Sequence, residues 1–543
     1  MPNSVPTLAV FRNRTFRMLW IATLASNFGG LVQSVGAAWM MTTLTSSQSM
    51  VALVQSSVTL PIMIFSLTAG VFADNYDRRK IMLWAQGFMC VVSVVLAFLA
   101  YEGLLSPWLL LFFTFMIGCG TALHTPSWQA SVGDIVTREE LPAAVSVNSM
   151  GFNMMRSVGP AAGGAIVALA GAAAAFAVNA FSYIAIIAAL FSWRPQRPPR
   201  KLPREPFGSA FAAGLRYVAL SPNLIRIILR GCIFGVSAVA VLALLPLVVR
   251  DHLAGNALTY GVLLGCFGFG AVGGALANSR LRERFHNEVI TQLGFAGFII
   301  TFAVLALSSS AVLSGASLLL AGFCWVISLS LFNVTMQLST PRWVVGRVLA
   351  LYQTGTFGGM AAGSWIWGAI SENAGLNVAL FIACGALFVG ILVGFVAALP
   401  DSHELNLDPL NRFTEPPLQL DITPRSGPIM IMVDYEIDQA DVPRFLELMS
   451  QRRRVRVRDG AQQWSLLRDL ENPDLWTESY HVPTWVEYIR HNERRTHADA
   501  GVFDQIRALH KGSLPLRVHR MIERQTVSPR DNIPRRQGVA RDG

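Results

Sequence analysis

The sequence predicts an all-α membrane protein of twelve transmembrane helices in two six-helix halves, followed by a small α+β ferredoxin-like domain. Three observations predict it. The chain has 543 residues, of which 53% are hydrophobic and only 14% charged, where a soluble protein carries about 25% charged residues. The charge is unevenly spread: residues 1–400 hold 22 Lys+Arg and 11 Asp+Glu, residues 401–543 hold 21 and 22. The apolar part also breaks into twelve runs of the roughly 20 residues that a membrane-crossing helix needs. The first part suits lipid and the second water.

The runs read as 16–43, 50–73, 81–101, 107–128, 144–169, 172–193, 222–249, 257–279, 288–308, 311–338, 345–370 and 375–399. Orientation follows from the loops. Arg12/Arg14/Arg17, Arg78/Arg79/Lys80, Arg138, Arg194 to Arg204, Arg280/Arg282/Arg284 and Arg342/Arg347 fall on one side. The other side has Glu102, the Arg250/Asp251 pair, Glu372 and three uncharged loops. Basic loops stay in the cytosol, so both termini are expected there. An even helix count requires the same. The expected domains are 1–193 and 222–400 as the two halves, 194–221 as a cytoplasmic linker, 401–427 as a second linker, 428–525 as the soluble domain and 526–543 as a disordered tail.

The positive charge sits in short loops that orient helices, so it is not a nucleic-acid signal. Cys90, Cys119, Cys232, Cys266, Cys324 and Cys384 all lie in apolar runs without metal-ligand spacing, and read as packing residues. No metal and no cofactor is expected. Arg12, Arg14 and Arg17 precede an apolar run too long for a cleaved leader, so the first helix is expected to be an uncleaved anchor.

The two halves echo each other. Gly70-Val-Phe-Ala-Asp74 ends the second run and Gly274-Ala-Leu-Ala-Asn278 ends the eighth, each before a basic cluster. Asn148/Gln353, Phe152/Phe357 and Gly163/Gly368 align at a constant offset. Parallel repeats suggest two bundles rocking about a midplane cavity. The stretch Gly70-x-x-x-Asp74-x-x-Asp77-Arg78-Arg79-Lys80 resembles the signature loop of the major facilitator superfamily. Gly70 permits close helix approach, Asp74 accepts a positive partner, and the bases stay cytosolic. Topology alone would also account for the bases. In the fifth run, Gly159-Pro160-Ala-Ala-Gly163-Gly164 is similar to the motif common in exporting members; packing around a Pro kink is the structural alternative.

Arg156 stands about 12 residues into that run, near mid-bilayer, where a charge is costly and functional by default. It is expected to face the interior and find an acceptor, as part of an anion or proton-linked site or as a structural partner. Asn148 and Asn153 precede it by eight and three residues. Asn27, Gln33, Gln55, Gln337 and Gln353 are further candidates for a cavity wall, although each reads more readily as an interhelical hydrogen bond than as a substrate contact; Gln129, Asn179 and Asn333 are also intramembrane. His124 can titrate near neutral pH, although a buried neutral histidine is the favoured reading, and no Asp or Glu falls in mid-membrane as the usual proton carrier.

Over residues 8–400 the pattern resembles the enterobactin-exporter-like branch, the transmembrane secretion effectors. That resemblance implies a multi-pass inner-membrane exporter of a siderophore, drug or similar amphipathic molecule. It also implies alternating access driven by a coupling ion, the proton. Arg156, Asn148, Asn153, Asn27, Gln33, Gln337 and Gln353 would line the cavity, with Gly70, Asp74, Asp77, Arg78 and Arg79 gating it. No ATP-binding signature competes with this reading. Import of a small solute, or a membrane anchor for oxygenase-like chemistry, are the alternatives.

In the soluble part, 429–437 reads as a strand, 441–458 as a helix capped by Asp441, 463–469 and 475–482 as a strand pair, 484–510 as helix and 517–523 as a strand. The βαββαβ order suggests the ferredoxin-like fold. With Trp464, Trp476, His481 and Trp485 it resembles antibiotic-biosynthesis-monooxygenase-like domains, which pair as dimers. His481, His491 and His497 are the obvious chemical candidates, but self-association or regulation is the favoured role. The run Arg452-Arg-Arg-Val-Arg-Val-Arg458 reads as a solvated face or a contact for anionic lipid.

Overall fold

The structure is a computed structural model that describes residues 7–75, 77–137, 140–193, 207–341, 343–400, 406–410, 412–512 and 515–523. Arg138, the whole basic stretch 194–204, Arg342 and the tail from 524 lie outside the described residues. The chain forms two compact units: Met1–Phe207, Asn223–Met336 and Leu349–Asp401 make the first, and Gly208–Pro222, Gln337–Val348 and Ser402–Gly543 the second.

In the first unit, helices α1 (Arg14–Leu44), α2 (Gln48–Asn75), α3 (Arg78–Tyr101), α4 (Pro107–Ile135) and α5 (Leu141–Ser192) build the N-terminal half. The second half is α7 (Pro222–Ala238) running into α8 (Ala240–Leu247), then α9 (Ala257–Arg284), α10 (Asn287–Leu307), α11 (Ala311–Leu338), α12 (Val345–Ala374) and α13 (Leu376–Val396). Among the described residues ten stretches are long and apolar enough to cross a membrane. One of the ten is α5, which breaks at Gly171 (φ 80°, ψ 171°) into two successive limbs. Such a positive φ suits glycine. The 30-residue α12, diluted by glycine and polar residues, adds the twelfth crossing.

Helix starts follow local chemistry. Asn13 Oδ1 accepts from the Thr15 and Phe16 amides, and Asp77 Oδ1 from Arg79 and Lys80. Ser106 precedes Pro107 at the first turn of α4, and Asn256 with Thr259 forms a capping box on α9. Each satisfies amides that a helix start leaves unpaired.

Two seams join the halves. At the first, α5 meets α9: a Cβ on Gly164 would stand 2.7 Å from the Ala257 carbonyl oxygen and 2.8 Å from Gly261 Cα. At the second, α2 meets α12. Ser56 Oγ donates to the Ala361 carbonyl at 2.8 Å, and Ser66 Oγ lies 2.8 Å from Thr354 Oγ1. Away from the basic loops, Glu372 closes this seam by accepting from Ser47 Oγ (2.9 Å) and the Ser49 amide (3.1 Å). The constant offset pairs Gly163 with Gly368, but their contacts differ: Gly163 packs on Val32 of α1 within its own half, and Gly368 on Ala52 and Ser49 of α2 across the second seam.

In the second unit, β1 (Ile429–Glu436), α14 (Val442–Asp459), β2 (Gln462–Arg468), β3 (Leu475–Val482), α15 (Trp485–Glu493), α16 (His497–Leu509) and β4 (Val518–Ile522) follow in the order βαββααβ, the single helix expected over 484–510 being broken into two. The sheet is antiparallel, in the order β2-β3-β1-β4, with Ile429 opposite both Val482 and Ile522. Alternation puts Ile429, Ile431, Val433 and Tyr435 inward against Phe445, Leu448, Trp476 and Tyr480. Trp464, Trp476 and Trp485 serve packing there. The stretch read as a linker contains a helix, α6 (Phe207–Ala219). α6 and the α11–α12 connection belong to this unit: Tyr217 meets Trp343 edge-on at 5.7 Å, Arg458 lies over Tyr217, and Arg494 lies over Trp343.

Candidate functional site

A cavity of about 410 Å³ lies between the halves of the first unit, a size usual for small-molecule sites. Its wall is two-sided. α1 to α5 supply the polar groups Asn27, Gln33, Gln55, Gln86, His124 and Arg156. α8 and α9 supply Leu242, Pro246, Tyr260, Leu264 and Phe267. One wall can take hydrogen-bonding groups, the other an apolar body.

Arg156 is the charge in this wall. Its guanidinium carbon lies 5.5 Å from the ring centre of Phe267 and 5.9 Å from that of Trp325. Such contacts are worth about 0.5–2 kcal/mol. Among the described residues no carboxylate lies within ion-pair distance of it. The acceptor expected from sequence is therefore replaced by two aromatic faces. Arg230 of α7, which sequence reading passed over, shows the contrasting case. It is fully buried, pairs with Glu288 at 2.6 Å and also donates to the Gly390 carbonyl. That arginine is neutralised inside the fold.

The other candidate residues separate. Gln33 is 4% exposed and takes part in a network in which its Oε1 accepts from Ser93 Oγ at 3.2 Å and from Asn179 Nδ2, which also donates to Tyr183. His124 lines the cavity with its Nδ1 buried and unpartnered. Asn148 accepts from Trp128 Nε1 at 3.1 Å, and Asn153 donates to the Ser149 carbonyl at 2.9 Å. Neither joins the wall among the described residues, and neither do Gln337 and Gln353. Phe267, Tyr260, Leu242 and Pro246 were missed, because an apolar lining residue looks like any other residue of a membrane helix.

At the basic end, Arg78 Nη1 donates to Asp134 Oδ2 (2.8 Å) and to the Ala130 carbonyl (2.9 Å). Arg79 donates to the Leu190 and Phe191 carbonyls at 2.8 and 2.9 Å. Both cations sit on helix C-termini, where free carbonyls and the macrodipole favour them. Gly70 and Asp74 fall in the last turns of α2, and their side chains lie outside the described residues. The C-terminal counterpart is uncharged, Asn278 Nδ2 donating to Ser330 Oγ at 2.8 Å.

The glycines of 159–164 set helix distances. A Cβ at Gly159 would meet Leu31 at 2.9 Å, one at Gly163 the Val32 Cα at 3.0 Å, and one at Gly268 the Arg156 carbonyl at 2.4 Å. Gly164→Val is therefore expected to part α5 from α9 and lower transport at least tenfold, overpacking costing about 1–3 kcal/mol. Gly133→Val, where nothing lies within 4 Å, should leave transport unchanged. Vesicle uptake per unit of expressed protein measures both.

The sequence profile described as transmembrane secretion effector matches residues 5–527, helices and soluble domain together. The enterobactin exporter EntS of Escherichia coli O1:K1 / APEC is 26% identical over 358 residues, 65% of this chain and 82% of that protein. EntS of Citrobacter koseri is 27% identical over 359 residues, with the same coverage. Among solved structures, an inward-facing, unoccupied bacterial homologue of the lysosomal transporter Spinster superposes with a TM-score of 0.56 at 15% identity, over 71% of this chain and 97% of that one. The nucleoside transporter NupG gives 0.55 at 12%, over 71% and 100%. At such identities the likeness is one of fold, the twelve-helix fold of major facilitator transporters. This chain belongs to the transmembrane secretion effector family of that superfamily.

Proposed function

We propose that this transporter exports an amphipathic small molecule bearing an anionic group, of the siderophore or drug kind, by alternating access coupled to the proton gradient. The observation that carries the reading is Arg156, a guanidinium without a carboxylate partner among the described residues, set in a cavity whose hydrogen-bonding groups come mainly from one half and whose opposite side is largely apolar. An anion on the substrate supplies the missing charge, as a charge-assisted hydrogen bond. Its apolar body lies against Phe267, Tyr260 and Leu264. Export, rather than import, takes support from the relatives named as enterobactin exporters.

The orientation follows the basic loops, whose charge favours both termini in the cytosol. The Glu372 closure then faces outward, and release requires the Ser47, Ser49 and Glu372 contacts to part. His124 is the titratable group of the cavity wall that suits proton coupling. The test is uptake into inverted vesicles with an imposed pH gradient, using catecholate siderophores and anionic drugs beside their neutral analogues. Gradient-dependent uptake of the anionic members, abolished by a protonophore, is the expected result. Uptake that ignores the gradient would sink proton coupling, and equal handling of neutral analogues would sink the role of Arg156.

A further inference from the structure

We propose that the C-terminal domain carries a second binding site, for a small aromatic organic anion such as an aryl carboxylate. A cavity of about 680 Å³ opens between the β1–β3 face of the sheet and the helices α14 to α16. Six arginines line it: Arg412, Arg452, Arg456, Arg495, Arg507 and Arg520. Against them stand Asp504 in the wall and Glu478 beneath it.

The carboxylates are already committed. Both Glu478 oxygens are held, Oε2 by Arg452 Nε (2.9 Å) and Tyr435 (3.1 Å), Oε1 by Arg456 Nε (3.1 Å) and Trp464 Nε1 (3.0 Å). Asp504 faces Arg412 at 3.7 Å on the exposed rim. Arg495 is left over. It donates to Asn492 Oδ1, its Nε is buried without a partner, and no carboxylate lies within ion-pair distance among the described residues. Burial first, and then repulsion from Arg456, pushes its pKa down to about 10.

Three guanidiniums crowd one ring. Arg452, Arg456 and Arg495 lie 4.4, 5.4 and 5.1 Å from the ring centre of Phe503. Two buried guanidiniums, Arg452 and Arg456, and a partly buried third, Arg495, have one buried carboxylate among them, so the site lacks negative charge that water cannot fully replace. A carboxylate presented to Arg495 accepts two parallel hydrogen bonds from its fork. An inorganic ion would supply the charge but leave most of the cavity unfilled. The remaining walls, Phe413, Ile431, Val433, Tyr480 and Tyr488, suit a flat apolar body. The site does not depend on the transport reading.

The test is calorimetric titration of the purified full-length chain in detergent with salicylate, salicylamide, cyclohexanecarboxylate and inorganic phosphate. One saturable salicylate site per chain is expected. Salicylamide and phosphate should bind at least tenfold more weakly, and cyclohexanecarboxylate several-fold more weakly. Arg495→Gln should weaken salicylate at least tenfold, Arg495→Lys only a few-fold, and Arg156→Gln not at all. Should Arg495→Gln misfold, Arg507→Gln on the rim replaces it, with a several-fold loss expected. Absence of saturable binding overturns the proposal, as does binding indifferent to Arg495 and Arg507 or lost in Arg156→Gln. Phosphate binding as tightly as salicylate overturns the aromatic specificity.

Discussion

Arg156→Gln is expected to raise the thermal stability of the helical bundle while lowering transport of an anionic substrate by about 10- to 150-fold. Both directions follow from the same fact. A guanidinium half-buried in the cavity wall, with the Phe267 and Trp325 faces and no carboxylate beside it among the described residues, is a net liability to the resting fold. A neutral amide removes that liability. The substrate anion, in contrast, loses a charge-assisted hydrogen bond worth about 1.5–3 kcal/mol, and every 1.4 kcal/mol is tenfold. Arg156→Lys keeps the charge but not the planar contact with two rings, so an intermediate loss of about three- to tenfold is expected. Arg230→Gln serves as the opposite case: it strands Glu288, so stability should fall. Melting curves and vesicle uptake measured on the same preparations decide the matter. A drop in stability for Arg156→Gln would make the residue a structural one.

Lipid makes the transmembrane architecture legible. Each crossing must be about 20 apolar residues long, so the runs can be counted, and α12 is the one that composition dilutes. Within them a polar residue stands out against an apolar background, which is why Arg156, Asn27 and Gln33 could be picked for the cavity wall. Helical phase then limits what a list of polar residues can say. Asn153 is turned about 60° and Asn148 about 80° from Arg156, in opposite senses, at 3.6 residues per turn. Asn153 serves a backbone carbonyl and Asn148 serves Trp128. The apolar wall was illegible, since Phe267 lining a cavity and Phe298 filling a core obey the same hydropathy. In the soluble domain the order of elements was readable from local pattern. The direction of the Arg452–Arg458 run was not. Arg452 and Arg456, four apart, share one helix face, and that face turns inward because Glu478 on β3 awaits it. A pairing across the sheet and helix layers leaves no local trace, so the buried pair resembled a solvated stripe.

That pairing yields the largest stability effect expected in the second unit. Glu478 is fully buried, and Glu478→Ala strands Arg452 and Arg456 together. Removing one partner of a buried ion pair costs about 3–5 kcal/mol, a large share of the roughly 5–15 kcal/mol that holds a domain folded. Hydrogen exchange on the full-length chain reads this directly. The amides of 429–436 and 475–482 should lose protection by roughly 100- to 4,000-fold, each factor of ten being about 1.4 kcal/mol. Replacing Glu478, Arg452 and Arg456 together by apolar residues should recover most of it, because the liability is the stranded charge and not the missing bridge. Acid supplies an independent check. Burial alone would raise the Glu478 pKa, but the guanidiniums of Arg452 and Arg456, with hydrogen bonds from Arg452 and Trp464, outweigh it and hold the carboxyl well below the ordinary range. Its stabilisation is therefore complete above the unfolded-chain value near 4.3 and is lost as pH falls below that value, where the unfolded chain binds a proton that the folded one does not. Protection of β3 in the wild-type chain should fall with decreasing pH in that window, after allowance for intrinsic exchange. In Glu478→Ala that component should vanish, and an unchanged acid response would place the sensitivity on another carboxylate.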